Sequence, residues 1–66
     1  MSMAKRERSV IYAKDIMKIT GRSKTYAYGL LKKIKAFFSK DNHQLVTIDE
    51  YARFHGIPVE KVMEYL

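Results

Sequence analysis

The sequence has no cysteine and no tryptophan, a single proline and only three glycines among its 66 residues. Without cysteine it can form neither a disulfide nor a zinc–thiolate site, so this short chain must fold on packing alone. No apolar run approaches the length of a membrane span or a signal-peptide core, which predicts a cytosolic protein with no membrane partner. With 47% apolar residues and eight aromatics, the composition predicts a folded domain rather than a disordered segment.

Recognisable catalytic and metal-binding groups are also missing. His43 and His55 stand alone, without the cysteine or carboxylate spacing of a metal site. The sequence has no Ser/His/Asp set, no carboxylate pair in an apolar setting and no glycine-rich phosphate loop. It therefore predicts a protein that is not an enzyme and that uses neither a metal nor a cofactor.

Acidic residues are absent from one long stretch: no Asp or Glu occurs between Gly21 and Lys40. Residues 1–40 contain eleven Lys or Arg against two acids, whereas residues 41–66 contain two against five. The net charge of +6 thus combines a strongly basic first part with an acidic second part. This asymmetry predicts a polyanionic partner for the first part and a packing or pairing role for the second.

The clearest pattern in the chain is two helices joined by a short turn. Ile16 and Ile19 supply apolar positions to the first helix, which is predicted over residues 13–20. Gly21 lies where the chain must reverse, and Ser23 can cap the second helix because its hydroxyl accepts a backbone N–H. This is the layout of a helix-turn-helix, whose second helix enters the DNA major groove.

The second helix has two unlike faces when its residues are placed about 100° apart. Its apolar stripe consists of Ala27, Leu30, Leu31, Ile34 and Phe38. The turn and the opposite, basic side supply the residues predicted to contact double-stranded DNA: Arg22, Ser23, Lys24, Thr25, Tyr28, Lys32, Lys33 and Lys35. A solvated face normally mixes Glu with Lys, so groove binding explains the missing acids better than a merely solvated helix does. An anionic membrane surface and RNA are the competing polyanions.

Two further helices are predicted in the acidic part. The spacing of Thr47 and Glu50 matches a capping box, which predicts a helix over about 48–55. Pro58 suits the first turn of a last helix that runs to about Tyr65. This second helix pair repeats the form of the first, but its acids lie on the outward side of the last helix, where phosphates would be repelled.

We expect residues 47–66 to be the packing half of the domain. Two short helices cannot bury all the large side chains of this half, which are Tyr51, Phe54, Val62 and Tyr65. They predict a weak homodimer through this half. They also keep open an alternative function, a protein-interaction or antitoxin-like module that uses the aromatic half as its surface.

The N-terminal segment and one short pairing complete the predicted architecture. Residues 1–9 are basic without periodicity and predict a flexible arm, which leaves residues 10–66 as a single domain. The segments 10–12 and 45–46 are short and β-prone, and they could pair as a minimal two-stranded wing. The predicted fold is mainly all-α, a small helix-turn-helix domain of about four helices with or without that wing.

Several short motifs resemble a known family. The segments 13–16, 20–23 and 25–26 are similar to the opening of MerR-type and excisionase-like helix-turn-helix proteins, particularly short ones of bacterial mobile elements. Residues 43–47 are also similar to those proteins, and the resemblance covers about residues 10–66. It implies a winged or truncated-winged domain that binds duplex DNA in transcription or excision control, in some cases beside a recombinase. It also implies a bacterial, cytoplasmic protein associated with the nucleoid.

By position in that family, the groove-facing residues would be Ser23, Lys24, Thr25, Tyr28 and Lys32. The sequence departs from the family pattern in three places. Met17 stands where a small alanine is usual, and Arg22 replaces the usual apolar turn residue. The arginine-rich wing of excisionases is missing, since residues 39–46 offer only Lys40.

Overall fold

Four helices follow one another in the computed structural model, which describes residues 9–66. They are α1 (Ala13–Thr20), α2 (Lys24–Phe37), α3 (Ile48–His55) and α4 (Val59–Met63). No strand occurs within residues 9–66, and the prediction of a small, mainly α-helical domain is confirmed. The predicted basic arm lies, except for Ser9, outside the described residues.

Local side-chain chemistry sets most helix boundaries, as the sequence predicts. Gly21 and Gly56 end α1 and α3 with φ angles of 71° and 70°, in the left-handed region that glycine adopts without strain. The Ser23 hydroxyl caps α2 by accepting a backbone N–H at 3.2 Å. At the start of α3, the Glu50 N–H donates to the Thr47 hydroxyl at 3.0 Å, and the Glu50 carboxylate accepts from the Thr47 N–H at 2.9 Å.

The first turn of α1 contains a buried acid. The Tyr12 N–H donates to the Asp15 carboxylate at 2.8 Å, and Asp15 is only 5% exposed. A carboxylate at this position is stabilised by the unpaired N–H groups and the positive dipole end of its own helix. The single acid of α1 is therefore turned away from the protein surface.

The two-stranded wing that the sequence left open does not form within the described residues, although the two segments do meet. Val10 and Thr47 form one isolated antiparallel bridge, and the Ile11 N–H donates to the Val46 carbonyl at 2.9 Å. Neither segment can extend into a strand, because Tyr12 is already the N-cap of α1 and Thr47 is the N-cap of α3. Helix capping therefore limits the pairing to a single bridge.

The last helix is shorter than predicted. It ends at Met63, two residues before Tyr65, and the chain finishes in tight turns. The Tyr65 N–H donates to the Val62 carbonyl at 3.0 Å and the Leu66 N–H to the Met63 carbonyl at 3.1 Å. Bonds to the residue three positions back tighten a final helical turn, so the α-helix stops while the chain stays coiled.

All four helices contribute to one apolar core. The buried hydrophobic side chains are Ile11, Ile16, Ala27, Leu30, Ile34, Val46, Ile48, Tyr51, Ala52 and Val62. The predicted stripe of α2 accounts for three of them, whereas Leu31 and Phe38 are only half-buried and Phe37, at the edge of the stripe, is 65% exposed. The central helix therefore packs one face between α1 and α3 and leaves the opposite face outside.

The expectation that Tyr51 and Val62 lie on an oligomer surface is wrong. Their side chains are 2% and 1% exposed and belong to the core. Burial raises the pKa of the Tyr51 hydroxyl, and lowers that of the neighbouring His55, whose ring centroid lies 4.5 Å from the tyrosine ring. Only Tyr65, at 49% exposed, and the half-buried Phe54 remain from that set as surface.

Two glycines allow a matched test of this backbone. Gly21→Ala should lower the free energy of unfolding by about 1 kcal/mol, because an alanine strains the left-handed backbone of the turn. Gly29→Ala should raise it by about 0.5–1 kcal/mol, because alanine favours the helix interior. Neither added methyl group meets another atom within 4 Å, so packing does not enter the comparison. Urea unfolding of both variants measures the two values, and equal signs would contradict the assigned turn.

Candidate nucleic-acid interface

The turn between α1 and α2 is held by hydrogen bonds of its own residues. The Thr20 hydroxyl donates to the Ile16 carbonyl at 2.7 Å and accepts from the Arg22 N–H at 3.1 Å. The Arg22 guanidinium lies 4.3 Å from the centre of the Tyr26 ring, a distance typical of a cation–π contact. Arg22 is thus exposed but stacked, and its charge is fixed next to the first turn of α2.

Five predicted contact residues lie on the part of the α2 surface that the buried stripe leaves exposed. They are Lys24, Thr25, Tyr28, Lys32 and Lys33, all exposed, and we call this set the basic face. The Tyr28 side chain is 58% exposed. No acid lies between residues 21 and 40, so nothing on the helix itself neutralises this face. Ser23, also exposed, is occupied by its cap on the Tyr26 N–H.

Lys35 differs from the other predicted lysines, because the structure gives it a partner. Its ammonium donates to the backbone carbonyl of Asn42 at 2.8 Å, and the residue is half-buried. Its charge still lies beside the basic face. However, its hydrogen bond ties α2 to the loop that follows, which the pattern of the sequence does not reveal.

Near its start, the loop of residues 39–46 is fixed to the helices on either side of it through Lys40. The Lys40 N–H donates to the Lys35 carbonyl at 2.8 Å, after Ser39 reverses the chain with a φ of 57°. The Lys40 ammonium then pairs with the Glu50 carboxylate at 2.9 Å, which links the loop to the start of α3. Further along the loop, the Asp41 N–H donates to the Gln44 side-chain oxygen at 2.7 Å.

A groove of about 950 Å³ runs between α2, the start of α1 and this loop. Three lysines border it, namely Lys14, Lys32 and Lys35, and its apolar lining includes Tyr12, Tyr28 and Leu45. We call it the lysine groove. No acidic side chain lines it. Tyr28 and Lys32 belong to both the groove and the basic face, whereas Lys24, Thr25 and Lys33 lie outside the groove.

The sequence did not single out Asn42 and Leu45 as parts of this region. Their place beside α2 depends on the folded loop and on the Lys35 hydrogen bond, which are tertiary contacts. For Leu45 the sequence contained two signals, the expected pairing of residues 45–46 with 10–12 and the similarity of residues 43–47 to mobile-element proteins. It contained none for Asn42. Leu45 is 55% exposed, so it is an apolar side chain on the surface rather than part of the core.

The described residues contain neither a cluster of metal ligands nor a membrane-spanning helix. Among residues 9–66, no three His, Cys, Asp or Glu side chains gather closely enough to hold a metal ion. None of the four helices in that part of the chain has the length and apolar character required to cross a bilayer.

Comparisons with known proteins identify no family and no relative of this chain. No protein-family model, no curated protein and no solved structure gave a match to this chain.

The Lys40–Glu50 pair should make the stability of the domain pH-dependent. Burial raises the pKa of Glu50, but the Thr47 N–H and the Lys40 charge outweigh it, so the net pKa lies below the ordinary 4.5. A lowered carboxyl pKa stabilises the folded state above the unfolded pKa, and that contribution is lost as pH falls through the folded value. Lys40→Met should therefore cost about 1 kcal/mol at neutral pH and less in acid.

Unfolding measured from neutral pH to below pH 4 for both proteins gives this difference. Lys40→Met keeps the apolar stem of the lysine and leaves His55 unchanged. The titration of that histidine therefore cancels in the difference between the unfolding free energies of the two proteins. A difference that stays constant across the range would contradict the role of the pair.

Proposed function

We propose that this protein binds double-stranded DNA by inserting α2 into the major groove. The observation that carries the proposal is the basic face: the exposed surface of a 14-residue helix, which carries lysines from its first turn to its third and no acid. At 1.5 Å per residue such a helix extends about 21 Å, long enough to follow a groove across several base pairs. A small transcriptional regulator or an excisionase-like accessory factor fits this size and the family resemblance best.

The position of each residue along the helix suggests its role. Lys32 and Lys33 lie in the later turns and would contact phosphates, which sets register without reading sequence. Lys24, Thr25 and Tyr28 lie nearer the N-terminal end, which is the end that contacts base edges in helix-turn-helix proteins. Arg22 and Ser23 would approach the backbone from the turn, and Lys35 would add positive potential from beside the face.

The burial of Tyr51 weakens the alternative of a protein-interaction module. The aromatic half offers less surface than its sequence suggests, because Tyr51 is in the core. Tyr65 and the half-buried Phe54 remain available, so a weak homodimer through residues 47–66 stays part of the proposal. A recombinase would be the natural protein partner of an accessory factor.

Titration of a labelled random-sequence duplex in a salt series tests the proposed class of function. DNA binding that depends on several lysines releases counterions, so the logarithm of the binding constant should fall steeply with the logarithm of salt concentration. An interaction module should bind little and show almost no slope. That second result would overturn the proposal.

The phosphate role predicts a uniform loss of affinity. Lys32→Ala and Lys33→Ala should each weaken binding to all duplexes alike and reduce the salt slope by about one unit, as the loss of one phosphate contact does. The matched control is Lys61→Ala, an exposed lysine on α4 that should leave binding unchanged. Wild-type binding by both α2 variants would exclude this helix as the docking element.

Base reading predicts a change in preference instead. Thr25→Ala or Tyr28→Ala should alter the motif recovered by selection from random duplexes, by about 1–3 kcal/mol at individual base pairs. Non-specific affinity should change less. Tyr28→Phe removes the hydroxyl and keeps the ring, so it distinguishes the contribution of one from that of the other. If both alanine variants select an unaltered motif, base reading lies elsewhere.

A further inference from the structure

The lysine groove has a composition that selects for acidic, partly apolar ligands. Lys14, Lys32 and Lys35 border it without an acid among them, so it carries uncompensated positive charge. Tyr12, Tyr28 and Leu45 are respectively 44%, 58% and 55% exposed along its walls. Exposed apolar side chains gathered around a concave site mark a binding surface. Since Lys32 and Lys35 are three residues apart on α2, their side chains lie on neighbouring turns.

The opposite chemistry is found on the outward side of α4. Glu60 and Glu64 are exposed and four residues apart, so both carboxylates project from the same side of one helical turn. Neither carboxylate forms an ion pair within residues 9–66. Beside them, Tyr65 and Leu66 are 49% and 37% exposed and supply apolar surface. We call these four residues the acidic tail face.

We propose that the lysine groove binds the acidic tail face of a second copy of this chain. Two lysines one turn apart meet two glutamates one turn apart, and apolar side chains flank both sets. The residues that line the groove come from α1 and the two residues before it, from α2 and from the loop. None comes from α4, so one molecule carries both surfaces at separate places. Contact between two different surfaces is heterologous, and it continues from copy to copy unless the geometry closes a ring.

This mode of association masks the proposed DNA site, a consequence that rests on the proposed function. Tyr28 and Lys32 line the groove and also belong to the basic face. An acidic tail face that occupies them excludes phosphates from the same lysine. Self-association and DNA binding therefore compete, and a rising protein concentration reduces the fraction of chains able to bind duplex.

Sedimentation at low ionic strength, without DNA, tests the association itself. Wild-type protein should grow beyond a dimer as its concentration rises and return to monomer when added salt screens the ion pairs. The tail variant, Glu60→Gln with Glu64→Gln, should weaken association about tenfold, as the loss of two exposed pairs implies. The groove variant, Lys32→Ala with Leu45→Ala, should weaken it to a similar extent.

Matched controls change the same charges elsewhere. Asp41→Asn with Asp49→Asn removes two exposed acids outside α4, and Lys33→Ala removes the exposed lysine next along α2 but outside the groove. Both controls should associate like the wild type. All the substituted side chains are exposed, and circular dichroism checks that each variant is folded. Wild-type protein that stays monomeric across the series overturns the proposal.

Mixing the tail and groove variants distinguishes a heterologous contact from a symmetric one. Each is weakened on one surface, but together they retain one intact groove and one intact tail face. At a concentration where the wild type associates and a contact about tenfold weaker does not, each variant alone should stay monomeric and an equimolar mixture should form a one-to-one dimer that grows no further. If the groove variant alone forms dimers as readily as the wild type at that concentration, a symmetric contact such as the homodimer through residues 47–66 accounts for the association, and the groove proposal is overturned.

Duplex-binding measurements on the same variants test the self-association and the proposed DNA binding separately. At concentrations where the wild type self-associates, the tail variant should bind duplex more tightly than the Asp41→Asn, Asp49→Asn control, which has the same net charge. Association without any duplex binding would reject the proposed function alone. Duplex binding that is equal for these two variants would overturn the competition.

Discussion

The burial of one stripe of α2 is the constraint on which the rest of this molecule depends. A 66-residue chain can build only one small core, and α2 supplies Ala27, Leu30 and the fully buried Ile34 to it. A helix that packs one face inward must present the other outward. The sequence places lysines and no acids on that second face. The orientation of α2 that buries its apolar stripe therefore also exposes its lysines.

The loop after α2 forms a concave surface together with the exposed lysines of that helix. Lys35 contacts the Asn42 carbonyl and Lys40 pairs with Glu50, so the loop is tied to α2 on one side and to α3 on the other. Two of the basic side chains near α2 thus serve the fold directly. The remaining exposed lysines have no such partner within residues 9–66, which is the condition expected of groups that bind a polyanion.

Features fixed by neighbouring residues could be predicted from the sequence. The bounds of α1 and α3, the Ser23 cap and the capping box of Thr47 with Glu50 all depend on contacts within four residues. So does the two-faced pattern of α2. These interactions are local, and the residue types required for them are few.

Features that depend on tertiary packing could not be predicted. The wing reduces to one bridge because two helix caps compete for its residues, and α4 ends early in a tightened turn. Tyr51 and Val62 are indistinguishable from surface residues in the sequence, and they become buried only when α3 packs against α2 and α4. The lysine groove likewise exists only after the loop folds back, so its lining residues are scattered along the chain.

The most direct test of the central claim is to map duplex binding residue by residue. Backbone amide signals of isotope-labelled protein would be followed by nuclear magnetic resonance during titration with a short mixed-sequence duplex. If α2 enters the DNA groove, the largest changes should fall on the turn and the basic face, at residues 22–33, with few on α3 and α4. Changes confined to residues 47–66, or no changes at all, would contradict the account.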